Sequence, residues 1–141
     1  MNVLNRNINN IFFIFALSHL IIWTLVPSLT NKNLPLDTIE ALAWGSNLDW
    51  GFNKHPPISA FFPEIFYQIF GAQDWAYYLL SQIFVLIAFY FVFKFAYEIF
   101  GNIKLSLISV FLLSSIYFYN FTTPEFNVTV CQLPFWSLVV Y

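Results

Sequence analysis

The acidic residues of this chain are concentrated in one polar stretch between two apolar segments. Five of the seven acidic residues lie there, at Asp37, Glu40, Asp49, Glu64 and Asp74. The same stretch carries the adjacent pair Lys54 and His55. Carboxylates beside an ammonium and an imidazole can move protons and bind anions. The pattern therefore indicates either a loop that solvates an apolar chain or a catalytic site at a membrane surface.

The composition is that of a membrane protein. The 141 residues are 60% hydrophobic, 23% aromatic and only 9% charged, whereas a soluble domain carries about 25% charged residues. A net charge of -2 gives no support for a nucleic-acid partner. The single cysteine, Cys131, excludes an internal disulfide, and we expect it to be a buried apolar side chain.

Four apolar segments predict an all-α, polytopic membrane protein. They cover residues 11–29, 75–93, 105–119 and a segment from 128 to the last residue. At about 1.5 Å per residue the first two can cross a hydrocarbon core of about 30 Å. The first is expected to be an uncleaved span, because no clear cleavage site follows its long apolar run. The fourth has about 14 residues, so we expect the sequence to be the amino-terminal part of a longer chain.

Positive residues near the span ends predict the orientation. Three flank one side of the predicted spans and two the other: Arg6, Lys94 and Lys104 against Lys32 and Lys54. This bias places the N-terminus inside and the 30–74 loop outside, in the periplasm of a bacterial cell. The short connection at 120–127, which contains Glu125, is then outside as well. Asp37, Lys54, His55 and Glu125 are thus expected to share one compartment.

Asp37 has two interpretations. Its spacing to Glu40 is close to a capping box, in which an N-cap side chain closes a helix start. The alternative is a catalytic carboxylate. At 100° per residue the helix would carry Asp37, Glu40, Ala41 and Trp44 on one face and Ile39, Leu42, Ala43 and Ser46 on the other. Such an amphipathic helix is expected to lie along the membrane interface, a depth that suits Trp44 and Trp50.

Three longer stretches resemble one enzyme family. They are "WGFNKHPPISAFF" from Trp50, "GAQDWAYYLLSQ" from Gly71 and "YFYNFTTPEFNVTVCQLPFWSLVVY" from Tyr117. In their order, with Asp37 before them, they resemble the glycosyltransferase family 39 membrane enzymes. This family includes protein mannosyltransferases, aminoarabinose transferases and rhizobial-type lipopolysaccharide sugar transferases.

The resemblance implies a GT-C fold, a helical membrane bundle in which residues 30–74 form a periplasmic catalytic loop. The implied donor is a sugar on a polyprenyl phosphate, the acceptor is a hydroxyl of a lipid, glycan or protein, and the location is the bacterial inner membrane. Asp37 corresponds to the catalytic base. Lys54 and His55 would neutralise the departing phosphate. Glu125 matches a second acidic position, which either orients the acceptor or binds a metal, and Glu40 would support the site.

The sequence departs from the family pattern at two positions. Lys54 stands where many relatives have an acid that can ligate a metal, and a protonated lysine cannot ligate one. No cofactor is therefore assigned, and a divalent metal remains an open alternative without support at this position. Thr38 replaces the second acid of a common Asp-Glu pair, which leaves open whether Glu40 compensates.

Two other function classes remain as alternatives. The chain could be a non-enzymatic membrane fragment, or part of a lipid or solute transporter. A transporter would be expected to show internal repeats or paired broken helices, and the sequence contains neither. If the glycosyltransferase interpretation holds, we expect the 141 residues alone to be inactive, because three complete spans do not enclose a donor cavity.

Overall fold

The computed structural model describes residues 3–141, with side chains from Ile8 onward. The side chain of Arg6, which contributes to the predicted orientation, lies outside that range. The protein is 77% helical, and residues 3–141 contain no strand. The helical fold class predicted from the sequence is thereby confirmed.

Six α-helices and one short π-helix follow each other along the described chain. They are α1 (Val3–Thr30), α2 (Leu36–Gly45), α3 (Ile58–Phe70), α4 (Asp74–Phe100), α5 (Ile103–Ser114), the π-turn (Phe118–Thr122) and α6 (Val128–Val140).

Two of these helices are long and apolar enough to cross a membrane. They are α4, with 27 residues, and the 23-residue part of α1 from Ile8 to Thr30. The other two predicted spans coincide with shorter helices of 12 residues in α5 and 13 residues in α6. The predicted segment 105–119 is not one continuous helix, because α5 ends at Ser114 and the π-turn follows.

Helix α4 is the centre of the fold. It packs against α1, α5 and α6 along its length and against α3 near its start. Its aromatic side chains make the contacts: Phe93 lies 4.7 Å from Phe12 of α1, and Phe84 lies 5.4 Å from Phe126 before α6, both measured between ring centroids. Cys131 of α6 is buried against this core, as the sequence predicts. Because lipid tails are as apolar as these side chains, close packing rather than water exclusion holds such helices together.

Glycine and asparagine make the tight connection between α4 and α5. Gly101 ends α4 in the left-handed region with φ of 57°, a conformation that glycine adopts without steric cost. The next residue, Asn102, accepts a hydrogen bond from the Lys104 backbone N–H at 2.9 Å and so caps α5. The reversal brings α5 back along α4.

The π-turn leads the chain from α5 to the segment 123–126, which is fixed to α4. The buried Ser81 hydroxyl of α4 donates to the Thr123 carbonyl. Phe126 is fully buried and packs on Phe84 of α4. Glu125 lies between these two anchors, so its backbone position is set by the bundle.

Candidate functional site

The first turn of α2 is held by a carboxylate from a distant part of the chain. Pro35 occupies the N-cap position, and no side chain of that residue caps the helix. Instead the Asp37 backbone N–H donates to Oε1 of Glu125 at 3.1 Å, across 88 residues of sequence. The free N–H groups and the dipole of a helix start favour an anion there. Glu125 therefore performs the capping that the sequence suggests for Asp37.

The Asp37 side chain does not cap α2. The side chain is half-buried in the first turn of α2. It makes no hydrogen bond to any other residue within 3–141 for which the structure gives side chains. The capping-box interpretation is thus wrong for Asp37, because the helix begins before it and the capping oxygen comes from Glu125.

Thr38 provides a second link between α2 and the same segment. Its side chain is 1% exposed, and its hydroxyl donates to the Phe126 carbonyl at 3.1 Å. Thr38, which replaces the second acid of the common Asp-Glu pair, therefore helps to hold α2 in place. The adjacent residues Asp37 and Thr38 of α2 are thus bound by the adjacent residues Glu125 and Phe126 before α6, which fixes where the Asp37 backbone lies.

Lys54 and Glu40 form an ion pair on the outside of α2. The Lys54 Nζ lies 2.7 Å from Glu40 Oε2, and the side chains are 54% and 34% exposed. The hydrogen bond to Glu40 raises the pKa of Lys54, and the charges of Glu40 and Asp37 raise it further. The ammonium therefore stays protonated and lies within electrostatic reach of the Asp37 carboxylate.

His55 is placed by aromatic packing. Its ring centroid lies 5.3 Å from that of Trp44, which stacks on Phe52 at 5.7 Å. Because the turn after α2 folds back along the helix, Trp44, Lys54 and His55 come to one side of it. The structure thus brings four of the five predicted site residues, Asp37, Glu40, Lys54 and His55, onto α2 and the turn that follows it, and Glu125 joins them from the segment before α6.

Gly45 is a site-supporting residue that the sequence analysis missed. A Cβ atom at this position would lie 2.5 Å from the Ala60 carbonyl oxygen and 2.9 Å from Glu64 Cβ. Glycine therefore allows α2 to lie directly against α3. Its position near the end of a predicted helix could have indicated this role, since a glycine inside a helical pattern is often there to allow close packing.

The buried face of α2 differs from both faces that the sequence predicts. Thr38, Ala41 and Gly45 are the buried residues of this helix. Only Ala41 belongs to a predicted face, and Ile39 of the apolar face is 46% exposed. The reason is the close approach at Gly45, which turns a row of small side chains toward the protein.

The structure separates the acidic residues of the 30–74 loop. Glu64 and Asp74 line a cavity of about 290 Å³ that also includes Leu42 and Tyr77. Glu64 is buried there and accepts a hydrogen bond from the Gln68 side chain at 2.6 Å. Asp49 is exposed after α2. The clustering of acids in sequence is therefore not one cluster in space, and only Asp37 and Glu40 accompany Lys54.

A second cavity of about 510 Å³ lies next to Glu125. It is bounded by the C-terminal end of α1 and by residues 121–125. Glu125 forms part of its wall, while its Oε1 atom holds the start of α2. Asp37 and this cavity are therefore both in contact with the Glu125 carboxylate.

The described residues do not form a recognisable metal centre. Among the residues from Ile8 onward, no three histidine, cysteine or acidic side chains lie close enough to hold an ion. Lys54, whose ammonium cannot act as a ligand, occupies the side of α2 that carries Asp37 and Glu40. These residues do not fit a metal.

Comparison with known proteins supplies the family. The model of the dolichyl-phosphate-mannose-protein mannosyltransferase family matches residues 54–141. The match begins at Lys54 and includes His55 and Glu125, whereas Asp37 and Glu40 precede it. No curated protein and no solved structure matches the chain.

The match agrees with the resemblance seen in the sequence motifs. It confirms a glycosyltransferase of the GT-C type in a membrane setting, and it does not select among the enzyme subtypes named above. Because the match covers more than half of the sequence, the protein belongs to the dolichyl-phosphate-mannose-protein mannosyltransferase family of membrane glycosyltransferases.

Proposed function

We propose that this protein transfers a sugar from a polyprenyl phosphate to a hydroxyl group of a lipid, glycan or protein. The reaction takes place at the periplasmic face of the bacterial inner membrane, where the 30–74 loop lies in the orientation predicted from the positive residues. The observation that carries the proposal is the Asp37 carboxylate. The Asp37 backbone is held by its N–H bond to Glu125, and among the residues from Ile8 onward its side chain makes no hydrogen bond.

Asp37 acts as the general base. It accepts the proton of the acceptor hydroxyl while the hydroxyl oxygen attacks the anomeric carbon of the donor sugar. The bond between that carbon and the phosphate oxygen breaks, and the polyprenyl phosphate leaves with the electron pair. A phosphate is already a good leaving group, so one carboxylate suffices and no general acid has to protonate it.

Lys54 neutralises the charge that develops on the departing phosphate. A lysine ammonium is charged at neutral pH, and the hydrogen bond to Glu40 raises its pKa further. Charge stabilisation of this kind acts on the transition state. Because Lys54 is more than half exposed, it can turn from Glu40 toward a phosphate without leaving a buried charge unpaired. His55 supports the phosphate from the same turn.

Glu125 has a double role in this proposal. Oε1 holds the start of α2 and thereby the base. The other carboxylate oxygen is available to accept a hydrogen bond from the acceptor hydroxyl and orient it. Glu40 holds Lys54 beside α2 until the donor binds.

The test is the substitution Asp37→Asn in the chromosomal gene, with sugar transfer measured in native membranes from a radiolabelled polyprenyl-phosphate donor. Asparagine matches the size of aspartate but cannot accept the proton. We expect transfer to fall by roughly 10²-fold or more, with normal protein levels.

The matched control is Asp49→Asn, which removes an exposed carboxylate from the same loop. We expect this variant to retain transfer. Normal transfer by Asp37→Asn would contradict the assignment of the base.

A further inference from the structure

The proposed reaction gives no role to the cavity beside Glu125. It has a volume of about 510 Å³ and lies between the C-terminal end of α1 and residues 121–125. We propose that it binds a neutral pyranose ring of the substrate. This inference rests on the proposed function, because Glu125 belongs to both the cavity and the catalytic site.

The cavity wall offers hydrogen-bond acceptors that fit sugar hydroxyls. Oε1 of Glu125 is used by the Asp37 N–H, which leaves the second oxygen as an acceptor. The Asn31 amide nitrogen donates to the Tyr78 hydroxyl at 3.1 Å, which leaves the Asn31 side-chain oxygen as an acceptor. Each oxygen can receive a bond from a ligand O–H group.

A proline in α1 provides a further acceptor. Pro27 has no backbone N–H, so the Trp23 carbonyl cannot receive the usual hydrogen bond from four residues along the helix. Both residues line the cavity. A carbonyl without a helical partner at the depth of a membrane needs another donor, and a sugar hydroxyl supplies one.

The same wall carries aromatic surface. The Trp23 and Phe121 rings meet edge to face, with their centroids 5.1 Å apart. The face of a pyranose that carries axial C–H groups is apolar and weakly positive, whereas the face of an aromatic ring is negative. A sugar can therefore pack its C–H face on these rings while its hydroxyls reach the acceptors.

The charges around the cavity favour a neutral sugar ring over a phosphate as its ligand. The Glu125 carboxylate disfavours a phosphate in the cavity, and Lys54 does not line it. The phosphate belongs on the Lys54 side of α2, and the neutral ring belongs in the cavity. A lipid tail would leave the oxygens of Asn31, Glu125 and Trp23 without donors.

The experiment is saturation-transfer NMR on the intact protein in nanodiscs. The probes are methyl glycosides of common hexoses, a polyprenyl-phosphate hexose, and a polyprenyl phosphate without sugar. We expect saturation of sugar ring protons with at least one hexose probe. Binding of the polyprenyl-phosphate hexose alone identifies the donor sugar, and binding of a free glycoside that the donor does not displace identifies an acceptor glycan.

Substitutions locate the bound sugar. We expect Trp23→Leu and Asn31→Leu to weaken sugar binding by at least about fivefold, whereas Trp23→Phe keeps a ring and loses less. The matched control is Trp136→Leu on α6, whose side chain is exposed outside this cavity. Thermal unfolding of each variant checks that it is folded.

Failure of this inference and failure of the proposed function give different results. Asp37→Asn should retain sugar binding while losing transfer. Absence of sugar saturation with every hexose probe, or equal binding by the Trp23, Asn31 and Trp136 variants, would overturn the cavity assignment even if Asp37 proved essential. Brominated lipid tails quench tryptophan fluorescence on contact. If they quench Trp23 and added sugar does not reverse the quenching, the cavity binds lipid instead.

Discussion

Helices α2 and α6 begin with carboxylate or amide oxygens bound to their first N–H groups, but the oxygens come from different distances. At α6 the Asn127 side chain accepts from the Val130 N–H at 3.0 Å, three residues away. At α2 the oxygen of Glu125 comes from 88 residues away. A local cap makes a helix start independent of the rest of the fold. A distant cap makes it dependent on the bundle, and the local acid, Asp37, does not cap the helix.

The C-terminal end of α2 is also held by another part of the chain. Gly45 presses against the Ala60 backbone of α3, so α2 is fixed at both ends by parts of the chain outside itself. The short helix therefore acts as a part positioned by its surroundings. Loss of packing or of a buried hydrogen bond at α2 should therefore cost more than loss of the local cap at α6, and four substitutions test how α2 and α6 are held.

The largest effect is expected from Gly45→Val. The new side chain would begin 2.5 Å from the Ala60 carbonyl oxygen, and overpacking against backbone costs up to about 3 kcal/mol. We expect a loss of about 3 kcal/mol in the free energy of unfolding, measured by thermal unfolding in detergent. Gly51→Val is the control, because a Cβ there meets no atom within 4 Å. Equal stability of the two variants would contradict close packing of α2 on α3.

Thr38→Val should have the second largest effect on stability. It removes the donor to the Phe126 carbonyl while keeping the size of the side chain. A buried carbonyl left unpaired costs about 1–3 kcal/mol, so we expect a loss of about 2 kcal/mol in unfolding free energy and a fall in sugar transfer as Asp37 moves. Thr38→Ser retains the hydroxyl and should lose less on both measurements. A Thr38→Val protein with unchanged stability would argue that this bond does not hold α2.

Asn127→Ala tests the local cap of α6. Loss of such a cap costs about 1 kcal/mol, and we expect that decrease in the free energy of unfolding. Asn127→Asp keeps an acceptor oxygen and should be near the wild type in stability. Because the cap is confined to α6, sugar transfer should change less than in Thr38→Val. A stronger effect on transfer than on stability would mean that α6 also positions the site.

Glu125→Gln should have the smallest effect on stability. Glutamine still offers an acceptor oxygen to the Asp37 N–H, and only the charge at the helix start is lost. A charge in this position contributes about 0.3–1 kcal/mol, so we expect a decrease of about 0.5 kcal/mol in unfolding free energy, which added salt should reduce further. Asp49→Asn, which removes an exposed acid, is the comparison. A loss of several kcal/mol would mean that the carboxylate has partners beyond α2.

The sequence by itself determined the helical membrane character of the chain. Runs of apolar residues predict α1 and α4 because a helix needs only its own backbone to satisfy its hydrogen bonds in lipid. The reversal at Gly101 and Asn102 before α5 is also local in sequence, since left-handed backbone and helix caps depend on neighbouring residues. The family motif from Lys54 onward is a property of residue order and was available in the same way.

Only the tertiary structure decided how the candidate site is held. The bond from Glu125 to Asp37, the close approach at Gly45 and the separation of Glu64 from Asp37 depend on which helices meet. Periodicity assigns a residue to a face of its own helix, but it does not say which face another helix will cover. For this reason the sequence could nominate five candidate site residues. That Glu125 rather than Asp37 caps α2 followed only from packing around α4.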